Sequence, residues 1–134
     1  MVAELDAVVV ALYSDGKVVL VKKDDVAWGF PGGMLQVGER HGKGAKRKVL
    51  EETGLDIENY ALEILTSFKK RPGHTIHLFG VQLGVHAFSH LNREGPNGHI
   101  LLAYPAAELR TATLRPAHKK LLDALAKKKN GKRK

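Results

Sequence analysis

No cysteine occurs among the 134 residues, which excludes disulfides, thiolate metal sites and cysteine nucleophiles. The chemistry of this chain has to rest on carboxylates, histidines, hydroxyls and amines. Long apolar runs are missing as well. The longest, Ala7 to Tyr13, is strand-sized and falls far short of the ~20 residues that cross a bilayer as a helix, so no membrane partner is expected. Met1 to Asp6 has two acids and no basic residue ahead of that run, the reverse of a secretory signal, and a cytoplasmic location is the expectation. A hydrophobic content of 43% and this length suit one domain with a real core.

Positive charge is plentiful but unevenly placed. The formal net charge is +8, yet residues 117–134 hold eight Lys or Arg against one acid, while the preceding residues hold 14 basic and 13 acidic groups. The body is nearly neutral. The end, Lys127 to Lys134, has nothing apolar to bury and is expected as a frayed or disordered tail, leaving 1–126 as the single domain. Such a tail is a solubilising end; the competing role is a weak RNA contact, which the lack of interleaved aromatic residues disfavours.

Periodicity and turn residues order the elements. Val-rich Ala3 to Tyr13 reads as a buried strand, Ser14-Asp15-Gly16-Lys17 as a turn and Val18 to Lys22 as the returning strand. Lys23 to Ala27 is a polar connection. Trp28-Gly29-Phe30-Pro31-Gly32-Gly33 then leads an extended piece into a glycine turn where backbone can approach a ligand closely. Gly42 and Gly44 weaken the front of the next segment, so a helix is predicted over Ala45 to Thr53 with Gly54 as its stop. Tyr60 to Phe68 and His74 to Ala87 read as strands joined by a turn at Lys70-Arg71-Pro72-Gly73, and Leu91 to Gly98 as a loop. Ile100 to Tyr104 is a last strand, and Pro116 to Lys128 a helix with Leu121, Leu122 and Leu125 on one face.

The most specific pattern is GMLQVGERHGKGAKRKVLEETGL, Gly33 to Leu55. Gly33, Glu39, Arg47, Val49, Glu51, Glu52, Gly54 and Leu55 stand at the spacing G-x5-E-x7-R-x-U-x-E-E-x-G-U, with U apolar. On a helix, positions 48, 51 and 52 share one face, which is directed at the Gly32-Gly33 turn. The segment resembles the Nudix box, whose family pattern has a glutamate where this chain has Lys48.

That resemblance implies an α/β fold, an α/β/α sandwich around a mixed sheet, and hydrolysis of a diphosphate linkage in a nucleoside diphosphate derivative with Mg2+ or Mn2+. By position it implies Glu51, Glu52 and the Gly32 carbonyl as metal ligands, Arg47 as the group that holds Glu51, and Glu39 as support from the loop; Gly32, Gly33 and Lys48 are the candidate substrate contacts. Magnesium takes oxygen ligands and keeps waters, which suits a carboxylate cluster facing a diphosphate. Some members take the base that activates water from a loop before the last strand, where this chain has Glu94. The oligomeric state stays open, a homodimer included.

Lys48 leaves three outcomes. It can turn away or pair with Glu52 while Glu94 acts as base. It can contact a phosphate itself, as lysine does elsewhere. Or the chain is an inactive Nudix-fold module that binds nucleotide or RNA. Arg40, Lys43, Lys46, Arg47 and Lys48 make the helix start strongly basic, either a solvated face or a surface that steers polyphosphates. The seven histidines contain no H-E-x-x-H pattern, and His74 and His77 fall on opposite faces of a strand, so they are read as ordinary residues. Trp28, Phe30, Phe68 and Tyr104 are candidates for base stacking, with core or rim packing the simpler reading.

Overall fold

Burial along the first strand decides the layers. The computed structural model describes residues 5–23 and 27–131, with side chains at 6–23 and 27–126. Strand β1 (Leu5–Ser14) buries Val8, Val10 and Leu12 on one face and Ala7, Val9 and Ala11 on the other. A strand covered on both faces reads as an unbroken apolar run and belongs at the centre of a sheet. The first set packs with Ala45 and Val49 of helix α1 (His41–Thr53), the second with Leu114 and with Leu121 of helix α2 (Pro116–Gly131). The result is the expected α/β/α sandwich around a mixed sheet.

The first hairpin turns through Asp15 and Gly16, both at positive φ (51° and 73°), the two-residue geometry that matches strand twist. Strand β2 (Lys17–Lys22) stays beside β1 only at Tyr13↔Val18 and Ser14↔Lys17. Beyond that a wedge enters: β3 (Trp28–Gly29) pairs with β2, and β4 (Gly32–Met34) pairs with β1 at Ala7, Val8 and Val9. The wedge brings the Gly32-Gly33 turn to the middle of the sheet. Strands β5 (Glu63–Arg71) and β6 (His74–Gln82) form the second hairpin, with β6 parallel to β1 from Leu5↔His74 to Tyr13↔Gln82. Strand β7 (Ile100–Pro105) closes the far side of β2, and a 3-10 turn, Ala106–Thr111, leads toward α2.

Four elements differ in their bounds from the sequence expectation. Strand β5 runs Glu63–Arg71 rather than Tyr60 to Phe68, because its pairing with β6 continues to Arg71↔His74 and leaves only Pro72 and Gly73 for the turn. Helix α1 starts at His41 and takes in Gly42 and Gly44; a Cβ on Gly44 would overlap Leu35 and lie 2.9 Å from Glu39 Oε1, so close packing outweighs helix propensity. Strand β6 stops at Gln82, because the chain turns at His86 (φ 64°), whose N–H donates to Asp15 at 2.9 Å. Helix α2 runs to Gly131 and so includes the backbone of 127–131, where a frayed tail was expected; alanine and lysine are good helix formers. The rest of the expected tail, 132–134, lies outside the described residues. Among the described residues no helix is long and apolar enough to cross a membrane.

Candidate active site

Gly32 anchors the site because no other residue fits there. Its φ is +154°, and a Cβ would overlap the Val8 carbonyl and approach Val9 Cα at 2.6 Å, so only glycine lets the turn lie flat on β1. In that position the Gly32 N–H donates to Glu52 Oε1 at 2.9 Å. Glu52 is buried on the sheet side of α1, with 2% of its side chain exposed. A buried carboxylate needs compensation for the hydration it loses.

That compensation comes from Lys23, just beyond the end of β2. Its ammonium donates to the Gly32 carbonyl at 2.9 Å and lies 2.6 Å from Glu52 Oε2. No motif marks Lys23 for this role, since it opens what looks like a solvated connection. The register carries the signal: Lys22 pairs with Trp28, so the next residue sits at the mouth of the wedge, beside the glycine turn.

Arg47 organises the exposed half. Its guanidinium forks onto Glu39, Nε to Oε2 at 2.7 Å and Nη2 to Oε1 at 2.9 Å, while Nη1 donates to Glu51 Oε1 at 3.0 Å. These hydrogen bonds, with one from the Gln36 N–H, hold the Glu39 carboxyl down at about 2. The Glu51 carboxyl is also lowered, chiefly by its hydrogen bond from Arg47. In return Glu39 above all raises the Arg47 guanidinium.

Lys48 does not turn to solvent. Its stem lies against Gly33, where a Cβ would meet Lys48 Cε at 2.6 Å. Its Nζ is 3.5 Å from Glu51 Oε2 and 3.8 Å from Glu52 Oε2. Glu39, Glu51 and Glu52 are thus matched by Lys23, Arg47 and Lys48, and the cluster is close to neutral.

Every residue of the box expected at the site is therefore gathered here, together with Gly32. Glu94 stands apart. Its neighbour Gly95 is pressed on the Glu52 carbonyl, where a Cβ would overlap that oxygen, so the loop backbone reaches the end of α1. The Glu94 side chain is exposed and its Oε1 lies near Gly98.

A second residue that the sequence hid is His118, on the first turn of α2. Its Nδ1 accepts the Phe30 N–H at 2.9 Å, and its ring stacks on Phe30 at 5.7 Å with an interplanar angle of 8°. Burial first, with the nearby Arg115, Lys23 and Lys70 charges adding to it, pushes His118 down to about 4, so it is a neutral acceptor that locks the wedge to α2. Beside it a cavity of about 120 Å3 is lined by Lys23, Phe30, Gly33, Met34, Arg115 and His118. A larger one of about 630 Å3, at Tyr13, Leu65, Leu109 and Leu125, touches none of the site carboxylates. Of the other aromatic candidates, Trp28 lies under Lys22 Nζ at 5.5 Å, Phe68 under Lys120 Nζ at 5.4 Å, and the Tyr104 hydroxyl meets Thr111 Oγ1 at 2.7 Å.

A family model for the NUDIX domain matches residues 4–125. The chain belongs to the NUDIX family. Over 62 residues it is 42% identical to nucleoside diphosphate-linked moiety X motif 6 of Xenopus laevis, a match that spans 44% of this chain and 29% of that protein. Solved Nudix folds superpose over nearly the whole chain. A MutT from work on the Aliivibrio salmonicida and Vibrio cholerae proteins gives a TM-score of 0.71 at 16% identity, covering 90% of this chain and 94% of its own. The NUDIX domain of Shewanella oneidensis NrtR, complexed with ADP ribose, gives 0.70 at 20% identity, covering 96% and 90%.

Proposed function

We propose that this Nudix domain hydrolyses a diphosphate linkage in a nucleoside diphosphate derivative, with Mg2+ or Mn2+ held by the Gly32 carbonyl, Glu51 and Glu52. The observation that carries this reading is the cation already seated there: the Lys23 ammonium is bound by the Gly32 carbonyl and Glu52 at 2.9 and 2.6 Å, with Glu51 reached through Lys48 at 3.5 Å. An all-oxygen set that serves an ammonium is the donor set a hard divalent ion takes. Such an ion, when bound, neutralises phosphate oxygens and lowers the pKa of the attacking water.

The chain's own residues supply the rest. Arg47 fixes Glu51 through Oε1 at 3.0 Å, which leaves Oε2 facing the cluster. Lys48 stands where the Nudix box has a glutamate; released from Glu51 and Glu52, its ammonium can move to a phosphate oxygen. Lys23 does the same from the opposite side. Glu94 is the proposed base, carried by the loop that Gly95 seats on Glu52. The cavity at Phe30 and His118 offers a flat, partly apolar wall for the nucleoside end.

The test is a screen of ADP-ribose, nucleotide sugars, dinucleoside polyphosphates and nucleoside triphosphates with Mg2+ or Mn2+, reading the products by chromatography. ADP-ribose leads because the Shewanella domain binds it. Metal-dependent turnover of at least one compound is expected. Saturable metal-free binding of one ligand, with no turnover of any, would overturn the hydrolase reading. Lys48→Glu is expected to raise both turnover and metal affinity; loss of an existing activity would instead show that the lysine itself serves the reaction.

A further inference from the structure

Three titratable side chains converge at the other end of α1. Asp6 on β1 and His77 on β6 lie on the same face of the parallel pair, since Asp6 pairs with Thr75 and Val8 with His77. His41 opens α1. His41 Nε2 and His77 Nε2 both approach Asp6 Oδ2, at 3.0 and 3.1 Å, and the two rings lie 4.3 Å apart. One ligand atom from each residue falls within 4.8 Å of the others.

We propose that Asp6, His41 and His77 form a site for a zinc-class divalent transition ion, with water at the fourth position, separate from the carboxylate cluster. Zinc takes nitrogen and oxygen ligands at ~2.0–2.1 Å in a tetrahedron, whose ligand–ligand edge is then about 3.3 Å. The two distances to Asp6 are already near that edge. Two imidazoles and a carboxylate favour zinc, cobalt or nickel over magnesium.

A further contact supports the assignment. His77 Nδ1 lies 2.8 Å from Ser67 Oγ. A hydroxyl both donates and accepts, so Ser67 can accept a hydrogen bond from Nδ1–H and leave the Nε2 lone pair facing the ion, the arrangement that orients metal-bound histidines. Without metal the same hydroxyl donates to Nδ1, and Nε2–H donates to Asp6. The side-chain exposures, 45% for His41, 23% for Asp6 and 17% for His77, leave an open position for water.

The consequence falls on the helix start. Arg40 at the N-cap makes no side-chain cap hydrogen bond, and the first turn has no acid, so α1 lacks the usual side-chain stabilisation there. A metal bridge ties that turn to both central strands. His41 and Glu51 are ten positions apart on α1, on the order of 15 Å along the axis, so both sites can be filled at once.

The experiment is titration of chelator-stripped full-length protein with Zn2+, and with Co2+ for its visible absorption, in millimolar Mg2+. One equivalent with tetrahedral Co2+ bands is expected. His77→Ala or His41→Ala should abolish the bands and weaken Zn2+ more than the ~10-fold expected for Ser67→Ala. Glu51→Gln combined with Glu52→Gln should leave the zinc site intact. Absence of saturable Zn2+ binding, affinity unchanged by both histidine variants, or loss only in the double glutamate variant would overturn the proposal. Because His41 is exposed, His41→Asn keeps the test valid if His77→Ala does not fold. None of these readouts depends on turnover, so failure of the zinc site and failure of the hydrolase reading are distinguishable.

Discussion

Lys23→Met removes an ammonium while keeping an unbranched stem, and its effect can be worked from the geometry. Two unit charges ~4 Å apart attract by about 4 kcal/mol at an effective dielectric of ~20, and Lys23 sits closer than that, 2.6 Å from a carboxylate that is 2% exposed. Much of this attraction is offset by desolvation. Removing one partner of a buried pair destabilises by about 3–5 kcal/mol. Here Lys23 is 25% exposed, and Glu52 keeps the Gly32 N–H and Lys48 at 3.8 Å, so about 2–3 kcal/mol is expected.

A double-mutant cycle with Glu52→Gln isolates the pair, since glutamine retains an acceptor for the Gly32 N–H. Urea unfolding in chelator should give a coupling of about 2 kcal/mol. Adding Mg2+ should stabilise Lys23→Met more than the unaltered protein, because the lysine competes for the same oxygens; the gain approaches ~2.7 kcal/mol at 100 times Kd. A coupling below about 0.5 kcal/mol would mean that the pair is solvated. Equal stabilisation of both proteins by Mg2+ would mean that lysine and metal do not share oxygens.

Acid should weaken the fold in a window set by His118. Its native value, about 4, lies below the ~6.5 of an unfolded histidine, so the unfolded chain takes the proton first: the contribution is complete above pH 6.5 and is lost as pH falls toward 4, by at most about 3 kcal/mol. His118→Gln should flatten this part of a stability–pH curve, and an unchanged slope would refute it. Gly95→Ala should lower stability by about 1–3 kcal/mol, because the new Cβ overlaps the Glu52 carbonyl; a melting temperature within a degree of the original would contradict the packing. Glu94→Gln should reduce kcat by about 100-fold or more with little change in KM, and a surviving rate would place the base elsewhere.

The layers and the first hairpin were legible because they rest on local chemistry. Unbroken burial in Val8 to Leu12 requires a central strand, and Asp15-Gly16 requires a tight turn. The meeting of Glu39, Arg47 and Glu51 was legible because their spacing lies in one loop and one helix. Lys23 and His118 were hidden for a different reason. Each acts across a distance that spacing does not record, Lys23 through the wedge between β1 and β2 and His118 across 88 positions to Phe30. His77 forms no pattern with His74 on its own strand; its partners come from β1, β5 and α1. Gly44 shows the same limit in the opposite sense, as a residue that propensity counts against a helix and tertiary contact demands within it.

Electrostatic balance connects these observations to catalysis. With Lys23, Arg47 and Lys48 beside Glu39, Glu51 and Glu52, the cluster needs no metal to hold its carboxylates. On the proposed reading a bare divalent ion would meet two ammonium groups, and each, held about 5 Å away at an effective dielectric of ~20, opposes it by roughly 7 kcal/mol. A diphosphate removes that conflict. Its oxygens draw Lys23 and Lys48 off the carboxylates as the ion takes their place, and the added charges of ion and diphosphate nearly cancel. Metal and substrate affinities should then be coupled, each raising the other by the same factor, and the two lysines are the residues through which that coupling passes.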